Sequence, residues 1–294
     1  MRTATSETPP RCQPPDPNPR KPRMVAPIGT TDTHFHILGP AISFPYIEER
    51  EYTPPDATPD AFSHLRQILG VERVVLVQPS VYGDDNKRIT EAAKQLGVPA
   101  RIIVVVPLST PENELERLHD AGARGVRFIL AHKGGLPLEE MHPFSERLKP
   151  RGWHIQFLLR PPDIIELESS LTKLATDFVI DHIGLIRPSE GGTEQPAFQS
   201  LLRLLRTGHC WVKLSGAYRI SSEQPPYRDV VPLVRALLKE RPDRILWGSD
   251  WPHVMVKDKM PNTTELFDLL LDWVPDEKLR EQILVDNPQA LFGF

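Results

Sequence analysis

Eight apolar runs with strand character alternate with amphipathic segments of helical periodicity along almost the entire 294-residue chain. The apolar runs lie at 31–37, 73–79, 100–107, 125–130, 154–159, 178–184, 210–216 and 245–250. The helical segments lie at 59–69, 85–96, 111–121, 138–148, 162–171, 195–205, 227–238 and 264–273, and a last one at 276–285. Runs such as 102–106 are continuously apolar, as strands covered on both faces require. This succession of β–α units predicts an α/β protein with a (β/α)8 TIM barrel.

An open, doubly wound sheet is the alternative fold for the same alternation. Such a sheet would carry a glycine-rich phosphate-binding turn after its first strand. In this chain that position holds His-Phe-His-Ile-Leu-Gly-Pro at 34–40, and the pattern G-x-G-x-x-G occurs nowhere. The barrel is therefore the predicted fold.

The first 26 residues differ in composition from the rest of the chain. They contain seven prolines and few apolar residues, too few to offset the entropy that is lost when a segment becomes ordered. The sequence therefore predicts a flexible Pro-rich tail at 1–26 and a single barrel domain at 27–294.

Composition narrows the range of partners and compartments. The net charge is -4, and lysines and arginines form no run, which disfavours nucleic acid and anionic membranes as partners. No apolar stretch approaches the ~20 residues of a membrane span, and the N-terminal region lacks the apolar core of a signal peptide. The two cysteines make no disulfide framework. A cytoplasmic protein is expected, and its oligomeric state stays open.

Titratable side chains occur at the predicted C-terminal ends of three strands. His34 and His36 alternate along the first strand and therefore face the same side; His182 ends the sixth strand and Asp250 the eighth. A single histidine in an apolar strand is more often a hydrogen-bonded core residue. Because barrel sites lie at the C-terminal ends of strands, this combination favours a catalytic or metal-binding site. His154 begins the fifth strand and is expected at the opposite end of the barrel.

Several motifs occur in an order that is similar to that of the amidohydrolase superfamily. They are Thr-Asp-Thr-His-Phe-His at 31–36, Asp-His-Ile-Gly at 181–184 and Trp-Gly-Ser-Asp-Trp-Pro-His at 247–253. Together they resemble the branch of that superfamily that contains the pyrone-dicarboxylate lactonases, over nearly the whole chain after the tail. The resemblance implies hydrolysis of a lactone at the barrel mouth, with a small anionic molecule as the substrate.

The resemblance also implies a role for each candidate residue. Asp250 would be the general base that activates water and later protonates the leaving oxygen, and His34, His36 and His182 would polarise the lactone carbonyl. The substrate-binding residues would be Arg127, Arg219, Tyr52, Gln78 and Lys133. The lactonases carry a tyrosine late in the fifth strand where this chain has Leu158, and an arginine at the position of Lys133. These departures leave the identity of the lactone open.

A divalent metal is the main open question about the chemistry. Superfamily members that bind a metal use the first-strand pair, a histidine at the upper end of the fifth strand and the eighth-strand aspartate. Here the fifth strand has no histidine at that end, so the sequence favours catalysis without a metal cofactor. The alternative is a single ion such as zinc, held by His34, His36, Asp250 and, as a fourth ligand, His182.

Three other functions remain compatible with the sequence. A sugar-acid lactone isomerase shares much of the pattern, but in those relatives an amide replaces the eighth-strand acid, so Asp250 favours water activation. A metal-dependent hydrolase or decarboxylase of the same superfamily would need a firmly held ion. A non-catalytic binding protein on a barrel scaffold would leave the acid and the imidazoles without a use.

Overall fold

Eight parallel strands pair in chain order in the computed structural model, which describes residues 9–132, 135–256 and 259–294. The strands are β1 Thr31–Phe35, β2 Arg73–Val77, β3 Ala100–Val104, β4 Ala123–Ile129, β5 His154–Leu158, β6 Phe178–Ile180, β7 Cys210–Leu214 and β8 Ile245–Trp247. The ring closes between β8 and β1, where the Thr33 hydroxyl donates to the carbonyl oxygen of Trp247 (2.6 Å) and the His36 amide to that of Trp251 (2.8 Å). The predicted TIM barrel is confirmed.

Helices follow the strands and cover the barrel. They are α1 Pro59–Leu69, α2 Lys87–Gln95, α3 Glu112–Asp120, α4 Met141–Leu148, α5 Pro161–Leu171, α6 Pro196–Arg206, α7 Ala217–Ile220, α8 Val231–Glu240, α9 Thr263–Trp273, α10 Glu277–Glu281 and α11 Asn287–Phe292. Each predicted helical segment corresponds to a helix, with its ends displaced by a few residues. The short α7 and α11 were not predicted, because one or two helical turns show little periodic pattern. No helix in the described part of the chain is long and apolar enough to cross a membrane.

Every strand ends one to four residues before its apolar run does, and the ends of β6 and β8 matter most for the site. β6 ends at Ile180 and β8 at Trp247, whereas the runs extend to 184 and 250. Beyond these ends the backbone turns into the left-handed region at His182 (φ 53°) and Asp250 (φ 60°), a conformation that is uncommon for residues other than glycine. These two site residues therefore lie on turns that follow the strands, at the barrel mouth.

The C-terminal helix closes the opposite end of the barrel. Phe292 of α11 packs among strand side chains that include Val75, Ile103 and Leu246. Its ring centroid is 5.4 Å from that of His154, which is buried at the first position of β5, as its place in the sequence predicted. The barrel is filled at this end, and the large cavity opens at the other.

The Pro-rich segment at 9–26 lies against the barrel. The Cys12 amide donates to the carbonyl oxygen of Thr53 (2.9 Å), and the Arg23 and Met24 amides donate to the Asp268 carboxylate of α9 (2.9 and 3.0 Å). This part of the predicted flexible tail is thus held in place, because Asp268 satisfies two backbone donors and the Met24 side chain joins the apolar core. The predicted domain boundary at residue 26 stays a prediction, and residues 1–8 lie outside the described residues.

Candidate active site

A cavity of about 1050 Å³ opens at the C-terminal ends of the strands. The predicted site residues that line it are His36, Tyr52, Arg127, His182, Arg219 and Asp250. His34 lies directly behind them, with its Nε2 atom 3.9 Å from Asp250 Oδ1. The barrel thus brings together the three histidines and the aspartate, which are far apart in the sequence.

Asp250 offers one carboxylate oxygen to this cavity. Its Oδ2 atom accepts hydrogen bonds from the Tyr218 hydroxyl (2.6 Å) and from Arg219 Nε (2.7 Å). Its Oδ1 atom is buried, has no hydrogen-bond partner among the described residues, and lies 3.8 Å from His182 Nε2 and 3.9 Å from His34 Nε2. The ion pair with Arg219 therefore orients the carboxylate and leaves Oδ1 for water or substrate.

The electrostatic surroundings keep Asp250 ionised at neutral pH. Burial would raise the pKa of its carboxyl group, but the charge of Arg219 and the imidazoles of His182 and His34 hold that pKa well below its usual value. An ionised carboxylate can accept a proton from water, as a general base must. Because a low pKa also makes it a weak base, the carbonyl that the water attacks must be activated as well.

A buried polar network behind the cavity fixes His34. Its Nδ1 atom is 3.1 Å from Asp181 Oδ1; because an ionised carboxylate only accepts hydrogen bonds, Nδ1 carries the proton and Nε2 directs a lone pair at the cavity. Arg127 Nη2 donates to Asp181 Oδ2 (3.0 Å), and Lys213 Nζ lies 3.6 Å from Oδ1. Burial lowers the pKa of Lys213 to about 8, so its ammonium stays charged at pH 7. Asp181 is thus the common partner of these three groups and of the side-chain amide of Gln156 (3.1 Å).

The other two imidazoles are also held through Nδ1. His36 Nδ1 donates to the carbonyl oxygen of Val77 (2.7 Å), so its Nε2 atom presents a lone pair. His182 Nδ1 lies 2.8 Å from the Ser215 hydroxyl; when that hydroxyl donates, His182 Nε2 carries the proton and faces Asp250. Burial lowers the pKa of His36 to about 3 and that of His182 to about 4, so both rings are neutral at pH 7.

The same arrangement provides a candidate metal site. One ligand atom each from His34, His36 and Asp250 lies within 4.8 Å of the other two. Each of the two histidines donates its Nδ1 proton to a protein oxygen, as metal-ligating histidines do. Gln156 of β5 donates to Asp181 Oδ2 (3.1 Å) and does not belong to this set. Two imidazoles and a carboxylate suit a divalent ion such as zinc.

The two arginines predicted to bind a substrate carboxylate each have a buried carboxylate partner. Arg127 pairs with Asp181, and its Nη1 atom donates to the carbonyl oxygen of Gln78 (2.9 Å). Its buried Nε atom has no hydrogen-bond partner among the described residues. Arg219 pairs with Asp250. Both arginines line the cavity, and each is already paired with a buried carboxylate.

Of the three other predicted substrate-binding residues, one lines the cavity, one is buried and does not line it, and one lies outside the described residues. Tyr52 lines the cavity, and burial raises the pKa of its hydroxyl to about 12, so it is protonated at neutral pH. The fully buried Gln78 is not among the lining residues; its side-chain amide donates to the carbonyl oxygens of Gly83 (3.3 Å) and Asp85 (2.8 Å). Lys133 lies outside the described residues. Substrate contacts by these residues stay predictions.

Asp181 and Lys213 were not among the site residues predicted from the sequence. Asp181 precedes His182 in the Asp-His-Ile-Gly motif, and Lys213 lies within the apolar run of β7. Charged residues are almost never fully buried unless they are paired. A charge inside an apolar run was therefore a signal from which a buried ion pair at this end of the barrel could have been predicted.

Known proteins with similar sequences include two lactone hydrolases and a lactone isomerase. The chain is 39% identical to 4-sulfomuconolactone hydrolase from Hydrogenophaga intermedia, over 98% of this chain and 96% of the relative. It is 39% identical to a 2-pyrone-4,6-dicarboxylate hydrolase from Comamonas testosteroni over 94% and 93% of the two chains, and 31% identical to D-galactarolactone isomerase from Agrobacterium fabrum over the same shares. A family model described as amidohydrolase matches residues 31–294. The chain therefore belongs to the amidohydrolase family.

Proposed function

We propose that the protein hydrolyses the lactone ring of a small anionic molecule. The observation that carries the proposal is the Oδ1 atom of Asp250, which has no hydrogen-bond partner among the described residues and faces the Nε2 atoms of His34 and His182 beside the cavity. Two relatives at 39% identity support it, because their names describe hydrolysis of a sulfonated lactone and of a pyrone dicarboxylate.

Water bound beside Asp250 is the nucleophile in this reaction. One oxygen can reach Asp250 Oδ1 and His34 Nε2 together at hydrogen-bond distance, because those atoms are 3.9 Å apart. Asp250 takes a proton from the water as its oxygen attacks the carbonyl carbon, and a tetrahedral oxyanion forms. The ring C–O bond then breaks, and Asp250 returns the proton to the leaving oxygen. The new carboxylic acid releases its proton to solvent, and Asp250 is ionised again.

The three histidines divide between donors and acceptors in this scheme. His182, with its proton on Nε2, donates to the developing oxyanion, and the buried Arg127 Nε atom is a second donor near the same cavity. His34 Nε2 presents a lone pair and accepts the second O–H of the attacking water, the first being directed at Asp250; His36 also presents a lone pair and lines the cavity beside them. Of the three histidines, only His182 polarises the carbonyl in this scheme, whereas the sequence predicted that role for all three.

A panel of carboxylated and sulfonated lactones, followed by ¹³C NMR in H₂¹⁸O, tests the proposed reaction. We expect ring opening with one new carboxylate that carries one ¹⁸O atom. Interconversion of two lactones without incorporation of ¹⁸O would contradict hydrolysis and indicate an isomerase, the activity named for the relative at 31% identity. Absence of turnover with every lactone, with and without added zinc, would reject the proposal.

His34, His36 and Asp250 would hold a divalent ion, which when bound would act as a Lewis acid on the carbonyl or the water. We expect zinc to raise the Tm of chelator-treated protein by several degrees, because a ligand that binds only the folded state stabilises it. His36→Ala should abolish this rise. His132→Ala, which removes a cavity-lining histidine bonded to Glu51, should retain it.

An unchanged Tm in wild-type protein would contradict the metal site. Catalysis without a metal, which the missing fifth-strand histidine favours, stays a prediction. Full activity after chelation, in protein shown by elemental analysis to lack divalent metal, would confirm that prediction.

A further inference from the structure

Arg160 lies on the cavity wall just after β5, and the proposed ring opening makes no use of it. Its backbone amide donates to Asp163 Oδ2 (2.7 Å), and its Nη2 atom donates to the carbonyl oxygen of Ala131. Its guanidinium forms no ion pair with a carboxylate of the described residues. We propose that Arg160 binds an anionic substituent of the substrate and thereby selects anionic over neutral lactones. This inference rests on the proposed hydrolysis.

The guanidinium groups closest to the reacting atoms are already paired. Arg127 Nη2 lies 3.0 Å from Asp181 Oδ2, and Arg219 Nε lies 2.7 Å from Asp250 Oδ2. A substrate anion that approached either arginine would share it with a buried carboxylate of like charge. An anion that approached Arg160 would meet a guanidinium whose one acceptor among the described residues is a backbone oxygen, and a charge-assisted bond of this kind is strong.

An apolar strip lines the cavity next to Arg160. Ile129 and Leu158 line the cavity and belong to one buried cluster, against which Leu185 packs. In a ring of eight strands β5 lies opposite β1, so Arg160 and the first-strand histidines are on facing walls. A lactone that lies across the strip places its carbonyl near Asp250 and its anionic substituent near Arg160.

Two lactones that differ only in charge test this inference: a γ-lactone with a carboxymethyl substituent and the corresponding carboxamide. Arg160→Met removes the charge and keeps most of the length of the side chain. We expect the ratio of kcat/KM for acid over amide to fall about 10-fold, mainly through KM for the acid, as expected for the loss of one charge-assisted bond. Arg160→Lys keeps the charge without the planar fork and should restore part of the ratio.

Two other cavity-lining cations serve as matched controls. Arg187 lies 3.6 Å from Glu190, and Lys259 lines the cavity from the segment after β8. Arg187→Met and Lys259→Met should each change the acid-to-amide ratio less than the Arg160 variant does. An unchanged ratio in Arg160→Met, or an equal fall in either control, would overturn the assignment.

Binding of glutarate, measured by calorimetry, provides a readout that does not depend on turnover. We expect the Kd for glutarate to be about 10-fold higher for Arg160→Met than for the wild type, the same factor as expected for the acid-to-amide ratio of kcat/KM. Equal Kd values, or no binding by the wild type, would overturn the inference. If glutarate binding depends on Arg160 while no lactone is opened, the proposed hydrolysis fails and the anion site stands.

Discussion

Asp250→Asn is expected to lower kcat for lactone opening about 10³-fold, within the range that a general base contributes. The amide cannot accept the proton of the attacking water, whereas the donors of His182 and Arg127 remain. KM should change much less, because the ground-state contacts of the substrate are largely retained. The measurement is steady-state hydrolysis of the best lactone from the panel. Thermal unfolding must accompany it, since the change leaves Arg219 without its anionic partner.

Tyr218→Phe is the matched control for this substitution. It removes the hydrogen bond to Asp250 Oδ2 (2.6 Å) and leaves both Arg219 and the free Oδ1 atom in place. We expect a fall in kcat of less than about 10-fold, the size of one lost hydrogen bond. If Asp250→Asn kept more than a tenth of the wild-type kcat, Asp250 would be excluded as the base.

The barrel was predictable because buried parallel strands need continuous apolar runs with helices between them. The run at 73–79 contains β2, Arg73–Val77, and the segment at 59–69 coincides with α1, Pro59–Leu69. The points at which β6 and β8 end were not predictable from the same pattern. The turn at Asp250 depends on a hydrogen bond from its amide to the carbonyl oxygen of His34 (2.8 Å), a partner that lies far away in the sequence.

The positions of the charged residues and histidines at strand ends predicted that they belong to a site. The ion pairs that they form with one another were not predictable. Arg127 and Arg219 were interpreted as substrate-binding residues, whereas each lies within 3.0 Å of a buried carboxylate oxygen. Such pairs depend on distances across the barrel, which spacing along the chain does not encode. The hydrogen bonds from the Arg23 and Met24 amides to Asp268 were not predictable for the same reason.

Asp181→Asn is expected to destabilise the fold and slow catalysis together. Its neutral amide cannot compensate Arg127 and Lys213, which would remain buried and charged, so the free energy of unfolding should fall by about 3–5 kcal/mol. It also removes the carboxylate that holds the proton of His34 on Nδ1, and the loss of such an orienting partner typically costs about 10- to 100-fold in activity. Urea unfolding and kcat, measured on one preparation, test both effects.

Asp177→Asn is the matched control, because Asp177 lies just before β6 and is partly exposed. Its carboxylate accepts hydrogen bonds from His209 Nδ1 and Trp211 Nε1, both at 2.9 Å. We expect a loss of less than about 1 kcal/mol and an unchanged kcat.

The double variant Asp181→Asn/Arg127→Met separates charge compensation from packing at this network. It should be more stable than the single Asp181 variant, because it removes one of the two cations left without a partner. If Asp181→Asn were instead as stable and as active as the wild type, the carboxylate would neither compensate the cations nor orient His34. The assignment of the His34 proton to Nδ1, on which both the water-binding and the metal-binding geometry depend, would then have to be abandoned.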